Sequence, residues 1–200
     1  MKVYFVRHGQ SEGNISGRHN AWAQVPLTEK GKADAAMAGR LLKGISFDKV
    51  YTSDLIRAIQ TKEIAMPDAE YEVLPMLREV CVGDLLGRKV TDCIEEYGEI
   101  YNQHRYMTNY APYGGESRED LHRRIREFLA MLEKTDYENV AVFGEALFTF
   151  SEPHWGYEYN MWPQGARIET AANWVRVISY DHPWPVTLTG KKYAHVKGEY

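Results

Sequence analysis

Val3-Tyr4-Phe5-Val6-Arg7-His8-Gly9-Gln10-Ser11-Glu12-Gly13-Asn14 is an apolar run of four that passes without a break into a dense polar cluster. Four consecutive β-prone residues near a terminus read as a strand buried on both faces. The cluster then sits at the strand's carboxyl end, where open α/β sheets place their ligands. Arg7 brings a guanidinium fork suited to phosphate or carboxylate. His8 brings an imidazole able to act as a nucleophile near neutral pH. Gly9 allows close backbone approach to a ligand, and Ser11 and Asn14 add hydrogen-bonding groups.

The rest of the composition narrows the function. Two hundred residues, 44% apolar and 26% charged, suit one globular domain spanning 1–200. A net charge of −4 argues against a nucleic-acid surface. No apolar stretch reaches transmembrane length, and the N-terminal apolar run is too short for a signal peptide, so cytoplasm is the expected compartment. Cys81 and Cys93, the two cysteines, form no metal-ligand or disulfide pattern; no metal and no cofactor is expected. The expected partner is a small molecule, with a second copy of the chain as the protein partner considered.

Outward from the first motif, strands and helices alternate. Residues 15–27 read as a loop in which Arg18 and His19 are expected to be solvated, with a place lining the same cleft as the other reading. Thr28 caps a helix running through Leu42, with Ala33, Ala36, Met37, Leu41 and Leu42 as its apolar face. Phe47 to Thr52 is a second strand. A helix follows, capped by Ser53 or Asp54, and Arg57 falls in its first turn, where the helix dipole already favours an anion. An extended run around Glu72-Val73-Leu74 leads to Leu77-Arg78-Glu79. Thr91 to Arg105 is a helix with Ile94, Tyr97 and Tyr101 on one face. Gly114-Gly115-Glu116-Ser117 turns into a helix opened by a Ser117/Asp120 capping box and marked by Leu121, Ile125, Phe128 and Leu132; its arginines, Arg124 among them, read as a solvated face. Asn139 to Phe143 is a third buried strand. Residues 173–180 and 186–189 read as a strand pair joined by a turn. Together these predict an α/β three-layer sandwich, a mostly parallel sheet with helices on both faces and an antiparallel edge.

Val-Arg-His-Gly-Gln-Ser-Glu-Gly-Asn resembles the signature of the histidine phosphatase superfamily, phosphoglycerate-mutase-like branch. Leu27-Thr28-Glu29, Ser53 to Thr61, Leu77-Arg78-Glu79 and Gly114 to Ser117 resemble further segments of it. The resemblance implies a phosphomonoester hydrolase in which His8 takes the phosphoryl group. Arg7 and Arg57 would hold the phosphate, and Glu79 would protonate the leaving oxygen. Gly9, Ser11, Asn14 and Glu116 would belong to the phosphate and substrate side. Phosphoglycerate mutase activity is the lesser expectation, because the cofactor-dependent mutases carry enclosing insertions.

One position departs. The family carries a histidine after the third strand that bonds the phosphate, and this chain has Glu145 there. Three outcomes follow. A protonated Glu145 could donate to the ligand, with activity falling as pH rises. An ionised Glu145 could pair with Arg7 or Arg57 and occupy the anion site itself. Glu145 could also point away, with His19 or His154 supplying the donor. The second is the favoured expectation, with residual activity in acid; a weak or inactive relative that binds an anion is the alternative function. Trp155, Tyr157, Tyr159 and Trp162 are expected to pack, with an aromatic wall over the cleft as the other reading.

Overall fold

A computed structural model describes residues 1–145 and the backbone of 167–172 and 175–179. In chain order the elements are β1 (Lys2–Arg7), α1 (Glu12–Ile15), α2 (Glu29–Leu42), β2 (Lys49–Thr52), α3 (Ile56–Ala65), β3 (Glu72–Val73), α4 (Val90–Tyr106), α5 (Arg118–Leu132), β4 (Asn139–Gly144), β5 (Arg167–Ala172) and β6 (Val175–Ser179). Single 3-10 turns lie at 75–77, 83–85 and 111–113. The strands form one sheet in the order β3-β2-β4-β1-β6-β5. The four strands from β3 to β1 run parallel, while β6 pairs antiparallel with both β1 and β5. The fold is the predicted mostly parallel α/β sandwich.

Period-two alternation sorts the central strands onto two cores. Val3, Phe5, Val140 and Val142 join the core that holds Leu121, Ile125, Phe128 and Leu132 of α5. Tyr4, Val6, Ala141 and Phe143 join the opposite core, with Ala38 and Leu42 of α2. A strand buried on both faces must be apolar throughout, which is why β1 reads as a continuous run. α5 starts at its capping box, where Ser117 Oγ accepts from Asp120 N and Asp120 accepts from Ser117 N.

Four expectations need correction. On α4 the buried residues are Cys93 and Tyr101, and Ile94 is exposed. The buried face of α2 is Gly31, Asp34, Ala35, Ala38 and Leu42; Met37 and Leu41 are exposed. Small residues fix that orientation: a Cβ on Gly31 would lie 1.9 Å from Gln10 O, and one on Gly39 2.6 Å from Ala65 O. α3 starts later than Ser53 or Asp54 would have it, with Leu55 at the N-cap and no side-chain cap bond. The antiparallel pair is 167–172 with 175–179, so the first strand was missed; the strand expected at 186–189 lies outside the described residues.

Gly9 and Gly31 pack backbone to backbone: a Cβ on Gly9 would meet Gly31 O at 2.1 Å. Gly31→Ala is therefore expected to cost about 1–3 kcal/mol, since the clash is with main chain and not with a flexible side-chain tip. Urea unfolding checks this, with exposed Lys32→Ala on the same helix expected to stay within about 0.5 kcal/mol.

Candidate active site

The parallel strands β2, β4 and β1 end side by side. Arg7 pairs in register with Gly144, so His8 and Glu145 are the next residues on adjacent strands. His8 N donates to Gly144 O at 3.0 Å and Ser53 N to Phe143 O at 3.0 Å, carrying the pairing one step past the strands. α3 then brings Arg57 in from the β2 side. His8, Arg57 and Glu145 are all buried, at 6%, 3% and 0% exposure, deep for three ionisable groups and tolerable only because they pair.

Glu145 Oε2 is the hub. It accepts from Arg57 Nε at 3.0 Å and Arg57 Nη2 at 2.7 Å, and it lies 3.1 Å from His8 Nε2. Arg57 is held from its other side by Ala23 O, 3.1 Å from Nη1, and Ala21 O, 2.8 Å from Nη2. Four of its five N–H groups are thus engaged, two of them by Glu145. Burial would raise the Glu145 carboxyl, but His8 and Arg57 outweigh it and pull the pKa below the usual range. Of the three outcomes weighed from the sequence, this geometry matches the pairing of Glu145 with Arg57, and it adds His8 as a second partner.

His8 Nδ1 sits 2.7 Å from Gly9 O. A carbonyl only accepts, so Nδ1 carries a hydrogen and donates it. The contact between Nε2 and Oε2 then holds one proton, and wherever that proton resides the Nε2 lone pair is engaged. Arg7 closes β1 beside this group. Glu79 lies on the irregular stretch after the first 3-10 turn, and its Oε1 accepts from Val80 N at 2.9 Å. Burial first, then the Glu145 charge, raises its pKa; the Val80 N–H, Arg57 and His8 oppose that rise.

Other residues named from the sequence are engaged differently. Gly9 accommodates Gly31, and its N–H donates to Thr61 Oγ1 at 3.1 Å. Ser11 and Asn14 form the reciprocal capping box of α1, so their polar groups bond each other. Glu116 grips Arg124 through both carboxylate oxygens, at 2.6 and 2.8 Å, and its Oε2 accepts from Cys81 N at 2.8 Å. Arg124 is correspondingly not on a solvated face. Arg18 is exposed as expected of a solvated loop, but His19 is not: it is buried with Nε2 2.5 Å from Tyr101 Oη, while His154 and the aromatic residues 155–162 lie outside the described residues. Cys81 and Cys93 are free.

Sequence reading missed a set of long-range contacts to Glu79, Arg78 and the start of α3. Trp22 Nε1 donates to Glu79 O at 2.7 Å, and its ring carries the Arg78 guanidinium 4.7 Å from its centroid. Arg78 in turn forks onto Asp54, with Nε 2.7 Å from Oδ1. Gln24 Oε1 accepts from Ile56 N at 2.8 Å at the start of α3. These are pairings across tens of residues, which no local pattern signals. Among the described residues no cluster of His, Cys, Asp and Glu could hold a metal, and no helix is long and apolar enough to cross a membrane.

The model of the histidine phosphatase superfamily, branch 1, matches residues 3–149. The chain belongs to that superfamily. It is 33% identical over 151 residues to the adenosylcobalamin/alpha-ribazole phosphatase of Escherichia coli K12, covering 71% of this chain and 72% of that one. A 2,3-bisphosphoglycerate-dependent phosphoglycerate mutase of Lactobacillus johnsonii is 41% identical over 105 residues, 49% of this chain and 46% of the mutase. Among solved structures, a mycobacterial glucosyl-3-phosphoglycerate phosphatase with VO3 matches at TM-score 0.66 and 26% identity, covering 72% of this chain and 75% of that one.

Proposed function

We propose that the chain hydrolyses a small phosphorylated metabolite through a phosphohistidine on His8, without a metal ion, and that Glu145 holds this activity low. The reading rests chiefly on the bond from His8 Nδ1 to Gly9 O, which leaves Nε2 facing Glu145 Oε2, the atom that Arg57 also holds. Nε2 attacks phosphorus in line and the ester P–O bond breaks on the far side. Arg7 and Arg57 neutralise charge on the equatorial oxygens, and Glu79 gives its proton to the leaving oxygen. Water then attacks the phosphohistidine, the Glu79 carboxylate takes its proton, and the Nε2–P bond breaks to release phosphate and free His8. A carboxyl raised by burial suits the acid role, since it keeps its proton closer to neutral pH. The activities of the relatives, an adenosylcobalamin/alpha-ribazole phosphatase and a glucosyl-3-phosphoglycerate phosphatase, favour a small-metabolite ester. The acidic chain and its free cysteines suit the cytoplasm.

Glu145 Oε2 takes the place of a phosphoryl oxygen, bonded by the donors that would hold one. Protonation of Glu145 in acid removes its charge and with it the repulsion of an incoming anion, so phosphate binds more tightly as pH falls through the lowered Glu145 value.

A panel of phosphoesters, followed by phosphate release with His8→Ala as control, tests the reading. Slow hydrolysis that falls by at least about a thousandfold in His8→Ala is expected. Turnover that survives the substitution would remove His8 from the mechanism.

A further inference from the structure

We propose that Arg124, locked by Glu116, is the positioning residue that sets the Glu79 carboxyl against the leaving group. The proposal rests on the phosphatase reading above. Residues 78–82 have no regular secondary structure to hold them, although they carry the proposed acid. Arg124, on α5, gathers this stretch onto one guanidinium. Its Nη1 donates to Met76 O at 2.6 Å and Arg78 O at 3.2 Å, and its Nη2 to Glu79 O at 3.3 Å. Glu116 fixes the same guanidinium bidentately from the other side.

Glu116 also reads Cys81 twice. Its N–H donates to Cys81 O at 2.8 Å, and its Oε2 accepts from Cys81 N at 2.8 Å. Gly115 makes that approach possible, because a Cβ there would lie 2.3 Å from Cys81 O. Main-chain groups of residues 76, 78, 79 and 81 are therefore tied to the start of α5. Glu79 has little freedom left: its carbonyl accepts from Trp22 and Arg124, and its carboxyl from Val80 N. Both Arg124 and Glu116 are largely buried, at 14% and 16% side-chain exposure, where a bidentate pair is rigid. A planar fork reaching three carbonyls and a carboxylate is a task lysine cannot copy.

A misplaced general acid hurts only esters that need it. An alkoxide leaves poorly without a proton, whereas p-nitrophenolate leaves as a stable anion. The test measures kcat/KM of Arg124→Lys and Glu116→Gln for glycerol phosphate and for p-nitrophenyl phosphate. Both variants are made in the chain as it stands and in a Glu145→His background. The expected result is a fall of about ten- to a hundredfold on glycerol phosphate with little change on p-nitrophenyl phosphate. Equal losses on both esters would make the pair a structural brace only and overturn the proposal. Should Arg124→Lys fail to fold, the near-isosteric Glu116→Gln gives the same readout. If neither parent hydrolyses either ester, the phosphatase reading falls and this proposal with it, a result distinct from equal losses in active parents.

Discussion

Glu145→His is expected to raise both the affinity for inorganic phosphate and the turnover of phosphoesters at pH 7 by about two to three orders of magnitude. Two like charges about 4 Å apart cost about 4 kcal/mol at an effective dielectric of 20, and about 1.4 kcal/mol corresponds to tenfold. The substitution removes the carboxylate from Arg57 Nε and Nη2 and returns both N–H groups to a phosphate oxygen. It also releases His8 Nε2 from the contact that engages its lone pair. Glu145→Gln should gain affinity but less rate, because an amide removes the repulsion without supplying a cationic donor. Calorimetric titration with phosphate and steady-state assays across acid to neutral pH check this. If neither variant gains at neutral pH, Glu145 does not restrain the site.

Arg57→Met is expected to destabilise the protein by about 3–5 kcal/mol, because it leaves the fully buried Glu145 with one of its charge partners gone. The double variant Arg57→Met with Glu145→Gln should recover much of the loss, as removing both members of a buried pair costs less than removing one. Urea unfolding of the four-member cycle measures the coupling. The pH dependence has a defined sign. The Glu145 pKa is lower folded than unfolded, so protons favour the unfolded chain. Its contribution is complete above the ordinary carboxyl range near pH 4.3 and is lost as pH falls through the folded value. Glu145→Gln should therefore flatten the acid side of the stability profile.

Local patterns made much of the architecture legible. β1 reads from its apolar run because it is buried on both faces, and α5 reads from a capping box followed by four residues at helical spacing, all buried as expected. His8, Arg57 and Glu145 could be placed at the carboxyl end of one sheet because each follows a recognisable strand. α2 was legible as a helix but not in its facing: alanines carry too little hydropathy to choose a side, and backbone packing at Gly31 and Gly39 chooses instead. The braces of the site stayed hidden for a different reason. Arg124 reaches back 48 residues to Met76 O, and Trp22 reaches 57 ahead to Glu79 O. Glu116 looked like a substrate contact by resemblance because only the fold reveals that Arg124 already holds its carboxylate.

Trapping the phosphoryl group tests the account most directly. A labelled phosphoester is mixed with the chain as it stands, with Glu145→His, and with the His8→Ala, Glu145→His double variant, then quenched within the first turnover and mapped by peptide. The prediction is a base-stable, acid-labile phosphate on the His8 peptide, abundant in Glu145→His, scarce in the chain with Glu145, and absent when His8 is replaced. Label on another residue, or equal label with and without Glu145, would contradict it.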